Sequence, residues 1–195
     1  MIVRLLSFQW NNVVRVGAYT DKGILDLPSA YMAIYETTEA PNFLYDMKAL
    51  ISNGEPALAL VRDLVNRAIR SGDESLFRDP NSITWLPPVP NPEKVLCVAV
   101  NYRAHGEESQ AKPLDRPYFF PKFPSALIGH NQPILKPRVS KQVDWEVEFA
   151  LIIGRRGKYI DADRAFDYVF GYLILNDISM RDWQFPSKEP YGMDW

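Results

Sequence analysis

Residues 143–154, VDWEVEFALIIG, constrain this chain more than any other stretch. Asp144, Glu146 and Glu148 alternate with Trp145, Val147 and Phe149. That is the two-residue period of a strand, so the three carboxylates share one face and the apolar side chains share the other. The apolar face is expected to be buried, and Ala150, Leu151, Ile152 and Ile153 continue the strand as core on both faces. Carboxylates that stand where such a strand approaches a cavity need a compensating cation or hydrogen-bond donors. A hard divalent metal is one such cation.

Composition narrows the setting. A chain of 195 residues, 47% of them apolar and 24% charged, can bury one sizeable core, or a core with a smaller appended unit. The formal net charge of -2 and the lack of a basic stripe interleaved with aromatics leave no footprint for nucleic acid. No run approaches the roughly 18 apolar residues of a membrane span. The opening MIVRLLSFQW has neither a charged leader nor a small-residue cleavage site, so no signal peptide is read. Cys97 is the single cysteine, which excludes an internal disulfide and fits a reducing compartment. Cytoplasm is the expected location. The chain stops at PYGMDW in a loop-like segment, where further sequence is expected to belong.

Residues 2–8, 13–19 and 23–27 read as three short strands joined at Asn11-Asn12 and Asp21-Lys22-Gly23, a small antiparallel meander. From Pro41 the period lengthens. Phe43, Leu44, Met47, Leu50 and Ile51 mark one face of a helix that Gly54 can end. Leu58, Val61, Leu64, Val65, Ala68 and Ile69 mark a second helix that stops near Gly72. Asp79-Pro80, Pro87-Pro88, Pro90 and Pro92 make the following stretch rigid and extended. The expected organisation is a small N-terminal domain over 1–75, a proline-rich linker over 76–92, and a main domain from 93 to 195.

Residues 94–100, KVLCVAV, read as a short buried strand that delivers Asn101, Tyr102, His105 and Glu108 to its end. On a helical turn His105 and Glu108 would share a face. A carboxylate beside an imidazole orients it and raises its basicity, as a general base near neutral pH requires. A surface turn is the plainer reading of the same spacing, and His130, in the loop at 129–133, reads as structural. Residues 117–125, PYFFPKFPS, would present Lys122 and Ser125 to an anionic ligand, or form an aromatic core strand with a solvated lysine. Asp161 reads as the cap of a short helix. A second apolar strand over 168–178 ends in Asn176-Asp177, so Asp177 joins Glu146 and Glu148 as three oxygen donors without Cys or His. That set suits Mg2+ or Mn2+ and not zinc. Alternatively, the three are surface carboxylates paired with Arg155, Arg156 or Arg181.

Taken together, Asn101-Tyr102 with His105 and Glu108, the pair Glu146-x-Glu148, and Gly171-Tyr172 followed by Asn176-Asp177-Ile178-Ser179-x-Arg181-Asp182-x-Gln184 resemble the fumarylacetoacetate hydrolase family. The resemblance implies an α+β, mainly β fold: a mixed β-sandwich roll behind a small N-terminal α/β domain, usually as a homodimer. It implies Glu146, Glu148 and Asp177 as ligands of Mg2+ or Mn2+, His105 as the base oriented by Glu108, and Gln184 as substrate-binding. Arg181 is substrate-binding or structural, and Lys122 is a candidate for the substrate's anionic end. The implied substrate is a small 2-oxo acid, and the implied reaction is hydrolysis of a carbon–carbon bond in an acylpyruvate-type 1,3-dicarbonyl. Oxaloacetate decarboxylation or keto–enol tautomerisation is the alternative, and a non-catalytic interaction module is an alternative of another class. Val98 stands where strict fumarylacetoacetases carry a further aspartate ligand. A Gly-Lys-x-Phe-Asp-Thr motif of the family is not reached before Trp195.

Overall fold

The computed structural model describes residues 2–99, 101–102 and 116–184. Strands β1 (Arg4–Trp10), β2 (Val13–Thr20) and β3 (Gly23–Asp26) form the expected antiparallel meander. Asn11 and Asn12 both take positive φ, the backbone that a tight two-residue hairpin connection demands and that Asn tolerates. Helix α1 (Leu27–Tyr35) follows directly, although the apolar run into Leu27 reads in sequence only as the end of a strand. Its start is set chemically: the Asp26 carboxylate accepts from the Ser29 amide, and Pro28 occupies the first turn, where its missing N–H costs nothing. The two expected helices appear as α2 (Met47–Ser71), broken at Gly54, whose φ of 57° and ψ of -137° interrupt the helical backbone just before Pro56.

The core sits in this N-terminal part. Met47, Leu50, Ile51, Ala57, Val61, Leu64, Val65 and Ala68 recur at helical spacing and face Val16, Ala18 and Leu25 of the sheet. On the sheet's other side Leu6, Phe8 and Ile24 lie beneath Trp10, Tyr19 and Trp85. Asp26 is wholly buried and ion-paired to Arg15 at 3.0 Å and Arg78 at 3.8 Å, with both guanidiniums against the Trp10 ring. The stretch expected to be a plain linker contributes two strands instead. β4 (Phe77–Arg78) and β5 (Thr84–Trp85) extend the sheet to the order β4-β3-β2-β1-β5. Its rigidity comes from this pairing and from Ser7, whose hydroxyl donates to the Pro88 carbonyl.

Beyond it lie three two-stranded sheets. β6 (Val95–Val98) pairs with β7 (Phe119–Lys122), β8 (Val143–Asp144) with β11 (Ser179–Met180), and β9 (Val147–Ile153) with β10 (Val169–Asn176). β11 leads into a single helical turn, α3 (Arg181–Gln184). Among the described residues no helix is long and apolar enough to cross a membrane.

Three expectations change here. The apolar face of the acidic strand is not buried: Trp145, Val147, Phe149, Leu151 and Ile153 are all exposed, as are Tyr172 and Ile174 of β10. A two-stranded sheet has two faces, and this one turns Ala150, Ile152, Leu173 and Leu175 inward, with Ile152 and Phe170 reaching the helical core. β6, which falls within the stretch expected as a buried strand, is likewise only half-buried, with Leu96 outward. Finally, Asp161 stands at the cap position of a 3-10 turn (Ala162–Tyr168), but its side chain makes no capping hydrogen bond.

Candidate active site

Antiparallel pairing brings the acids together. Glu148 lies opposite Leu175 and Val147 opposite Asn176. The ladder then runs one step further, with the Asp177 amide donating to the Glu146 carbonyl at 2.8 Å. Directly paired residues point to the same side of a sheet, so Glu146, Glu148 and Asp177 share one half-buried face. Their charges are felt mutually. Burial raises the Glu148 carboxyl above its ordinary value, and Glu146 and Asp177 raise it further. Hydrogen bonds from Asn101 and Tyr102, at the end of β6, oppose that rise. Tyr102 also accepts from the Phe149 amide at 3.2 Å, which ties this end of β6 to the acidic strand.

Two cations answer the other carboxylates. The Lys122 ammonium lies 2.9 Å from Asp177 Oδ1, with the two side chains only 15% and 12% exposed. Arg181 forks between the first two acids of the segment: its Nε donates to Asp144 at 2.9 Å and its Nη2 to Glu146. Its Nη1 donates to Gln184 Oε1 at 2.6 Å. Ser179 adds a 3.3 Å hydrogen bond to Glu146. Asp182 accepts from the Ser140 hydroxyl and the Lys141 amide, both at 2.8 Å, so its carboxyl lies below the ordinary range and α3 is anchored under the site. Of the three arginines expected beside these carboxylates, Arg181 is paired with Asp144 and Glu146, while Arg155 stacks on Tyr168.

Asp144 is also more than a bystander. Its bond to Arg181 lowers its carboxyl below the ordinary value. Cys97 is a member of the site that carried no signal in sequence. Pairing of Cys97 with Phe120 and of Val95 with Lys122 places Cys97 and Lys122 on one face of β6–β7. There burial, with the negative field of Asp177, pushes the thiol up to about 11. A single half-buried cysteine has no periodicity to betray it. Ser125 lies in an exposed turn, and His130 packs edge-on against Trp85, in keeping with a structural role. His105 and Glu108 lie outside the described residues.

A donor set of three carboxylates is the chemistry that Mg2+ and Mn2+ take. The charge balance also suits a divalent cation: Asp144, Glu146, Glu148 and Asp177 exceed Lys122 and Arg181 by two negative charges. Among the described residues, however, no three His, Cys, Asp or Glu side chains are grouped closely enough to hold a metal ion. Lys122 and Arg181 hold two of the three acids.

Comparison with known proteins identifies the class to which this fold belongs. Residues 94–195 match the model of the fumarylacetoacetate hydrolase C-terminal domain, and the chain belongs to that family. It is 34% identical over 99% of its length to the mitochondrial oxaloacetate tautomerase fahd2 of Xenopus laevis, covering 56% of that protein. Over 74% of its length it is 40% identical to the mitochondrial oxaloacetate tautomerase FAHD2A of Bos taurus, covering 44%. It therefore spans about half the length of these relatives. The crystal structure of maleylpyruvate hydrolase from Sphingobium sp. SYK-6, in complex with manganese(II) and pyruvate, superposes with a TM-score of 0.63 at 29% identity, covering 91% of this chain and 59% of that one. The fold is the family's, with mixed helices and strands as expected.

Proposed function

We propose that this chain carries the divalent-metal site of an enzyme acting on a small enolisable 2-oxo acid, and that keto–enol tautomerisation of oxaloacetate is its reaction. The observation that carries the reading is the shared face of Glu146, Glu148 and Asp177 with two unbalanced negative charges. The relatives named oxaloacetate tautomerases, at 34% and 40% identity, favour this reaction over the others. In this reading Glu146, Glu148 and Asp177 would hold Mg2+ or Mn2+. The ion would polarise a substrate carbonyl and so stabilise the enolate. Arg181 keeps Glu146 and Asp144 in register, Asn101 and Tyr102 aim Glu148, and Gln184, adjoining Arg181, contacts the substrate. His105, oriented by Glu108, moves the proton.

Hydrolysis of an acylpyruvate carbon–carbon bond is the second reading, favoured by the likeness to the maleylpyruvate hydrolase. It needs the same enolate stabilisation and adds water activated by His105. Decarboxylation of oxaloacetate would draw on the same electron sink. A homodimer is the assembly we expect, and light scattering on the purified chain checks it.

A panel decides among the reactions. Oxaloacetate enol decay, pyruvate release from acetylpyruvate and fumarylpyruvate, and carbon dioxide release are followed with Mn2+ present. Accelerated enol decay alone is the expected result, pyruvate release from an acylpyruvate selects the hydrolase, and no turnover with any of them leaves the non-catalytic module. His105→Gln should lower the rate by two orders of magnitude or more, in line with the usual contribution of a general base; an unchanged rate would remove His105 from the mechanism.

A further inference from the structure

Lys122 is held by the site itself, and that bears on how the site takes a divalent cation. Its ammonium is 2.9 Å from Asp177 Oδ1, and both side chains are too buried for water to screen the pair strongly. It reaches there from β7, packing near the Phe120 ring on the same strand, while Asp177 comes from the end of β10. A divalent ion that binds Asp177 therefore meets a fixed positive charge on the same carboxylate. Arg181 sets no such limit on Asp177, since its donors go to Asp144, Glu146 and Gln184.

We propose that Lys122 is a tethered competitor for the metal at Asp177, and that the ion's arrival releases its ammonium to the carboxylate of the 2-oxo acid. The proposal rests on the metal-site reading given above. Two effects of removing Lys122 oppose each other. Loss of a hydrogen-bonding partner that orients a metal ligand typically weakens metal binding 10–100-fold. Loss of a like charge beside the ion strengthens it, and strongly so where both lie out of water. Lys122→Gln separates the two, because the amide keeps an N–H for Asp177 and removes the charge.

The lysine then couples two ligands. While it sits on Asp177 its charge is offset by that carboxylate and its attraction for a second anion is weakened, so metal should precede acid. Once freed, it lends the site a cation for the substrate carboxylate. By linkage the acid must in turn tighten the metal by the same factor.

The test uses the full chain, with Mn2+ alone and then pyruvate as probes, read by calorimetry and by the electron paramagnetic resonance signal of free Mn2+. Lys122→Gln is expected to bind Mn2+ about tenfold more tightly than wild type, and pyruvate in the presence of Mn2+ about tenfold more weakly. Lys122→Met, which keeps the apolar stem, should shift pyruvate in the same sense. Equal or weaker Mn2+ binding by Lys122→Gln, with wild type binding normally, overturns the competitor and leaves the metal site standing. Unchanged pyruvate binding overturns the release. A wild type that binds no Mn2+ overturns the metal reading and this inference with it.

Discussion

The two parts of this molecule are stabilised differently. Among the described residues, every buried apolar side chain lies between Leu6 and Leu76, in the five-stranded sheet and its helices. The part that carries the acids buries only Ser140 and Ser179, and it presents an apolar row from Val147 to Ile153 to the outside. The first part is held by a hydrophobic core with one buried ion cluster. The second is held by strand pairing, ion pairs and the docking of Ile152 and Phe170 on the first. A carboxylate site cannot sit in a dry core without large desolvation cost, so the separation lets one part provide rigidity while the other stays polar.

The comparison is broken most directly at Asp26. Its carboxylate is fully buried between Arg15 and Arg78, so Asp26→Ala strands two cations and should cost about 3–5 kcal/mol in urea unfolding. A loss below about 1 kcal/mol would show that the N-terminal part does not depend on this cluster.

Leu64 and Leu151 sharpen it. Leu64 is fully buried and Leu64→Ala should cost about 2–5 kcal/mol, whereas Leu151, 48% exposed, should change stability by less than about 0.5 kcal/mol on the same substitution. Equal losses would mean that the outer face of β9–β10 is covered in solution.

Gly129 probes where the parts meet. A Cβ there would lie 2.0 Å from the Trp85 carbonyl oxygen, a backbone atom that cannot rotate away. Gly129→Ala should therefore cost about 1–3 kcal/mol and loosen the packing of His130 on Trp85, visible as a change in tryptophan fluorescence. An unaltered spectrum and stability would separate the two parts.

The smallest effect belongs to the acids. Because the folded Glu148 carboxyl is raised, the folded state holds its proton to higher pH than the unfolded chain does. The cost of its charge is absent below the unfolded value, near 4.5, grows as pH rises through the raised folded value, and is complete above it. Glu148→Gln in chelator should thus melt higher than wild type at pH 7, with the gain vanishing toward pH 4. A lower melting temperature at pH 7 would show that Glu148 is stabilised by its donors more than it is opposed by its neighbours.

Much of this was legible in the chain. Strict alternation put Glu146 and Glu148 on one side of a strand because a strand's side chains have no other geometry. Helical spacing from Met47 to Ala68 named the core face of α2, and Asn11-Asn12 marked the turn between β1 and β2. The order of the motifs named the family. Local patterns carry such information because each depends on neighbours within a few residues. They could not say that Asp177 would stand opposite Glu146 or that Lys122 would answer it, since β7 and β10 meet only through folding. The helix after Asp26 was missed because a capping carboxylate and a proline are weak signals beside an apolar run.

The acidic strand shows the division most clearly. Its sequence alone determined which side chains share a face, a consequence of backbone pleating. Only the tertiary structure decided that the polar face turns inward toward Lys122, Arg181 and Tyr102 while the apolar face turns out. Which side of a sheet is covered depends on the elements packed against it, and no periodicity records that.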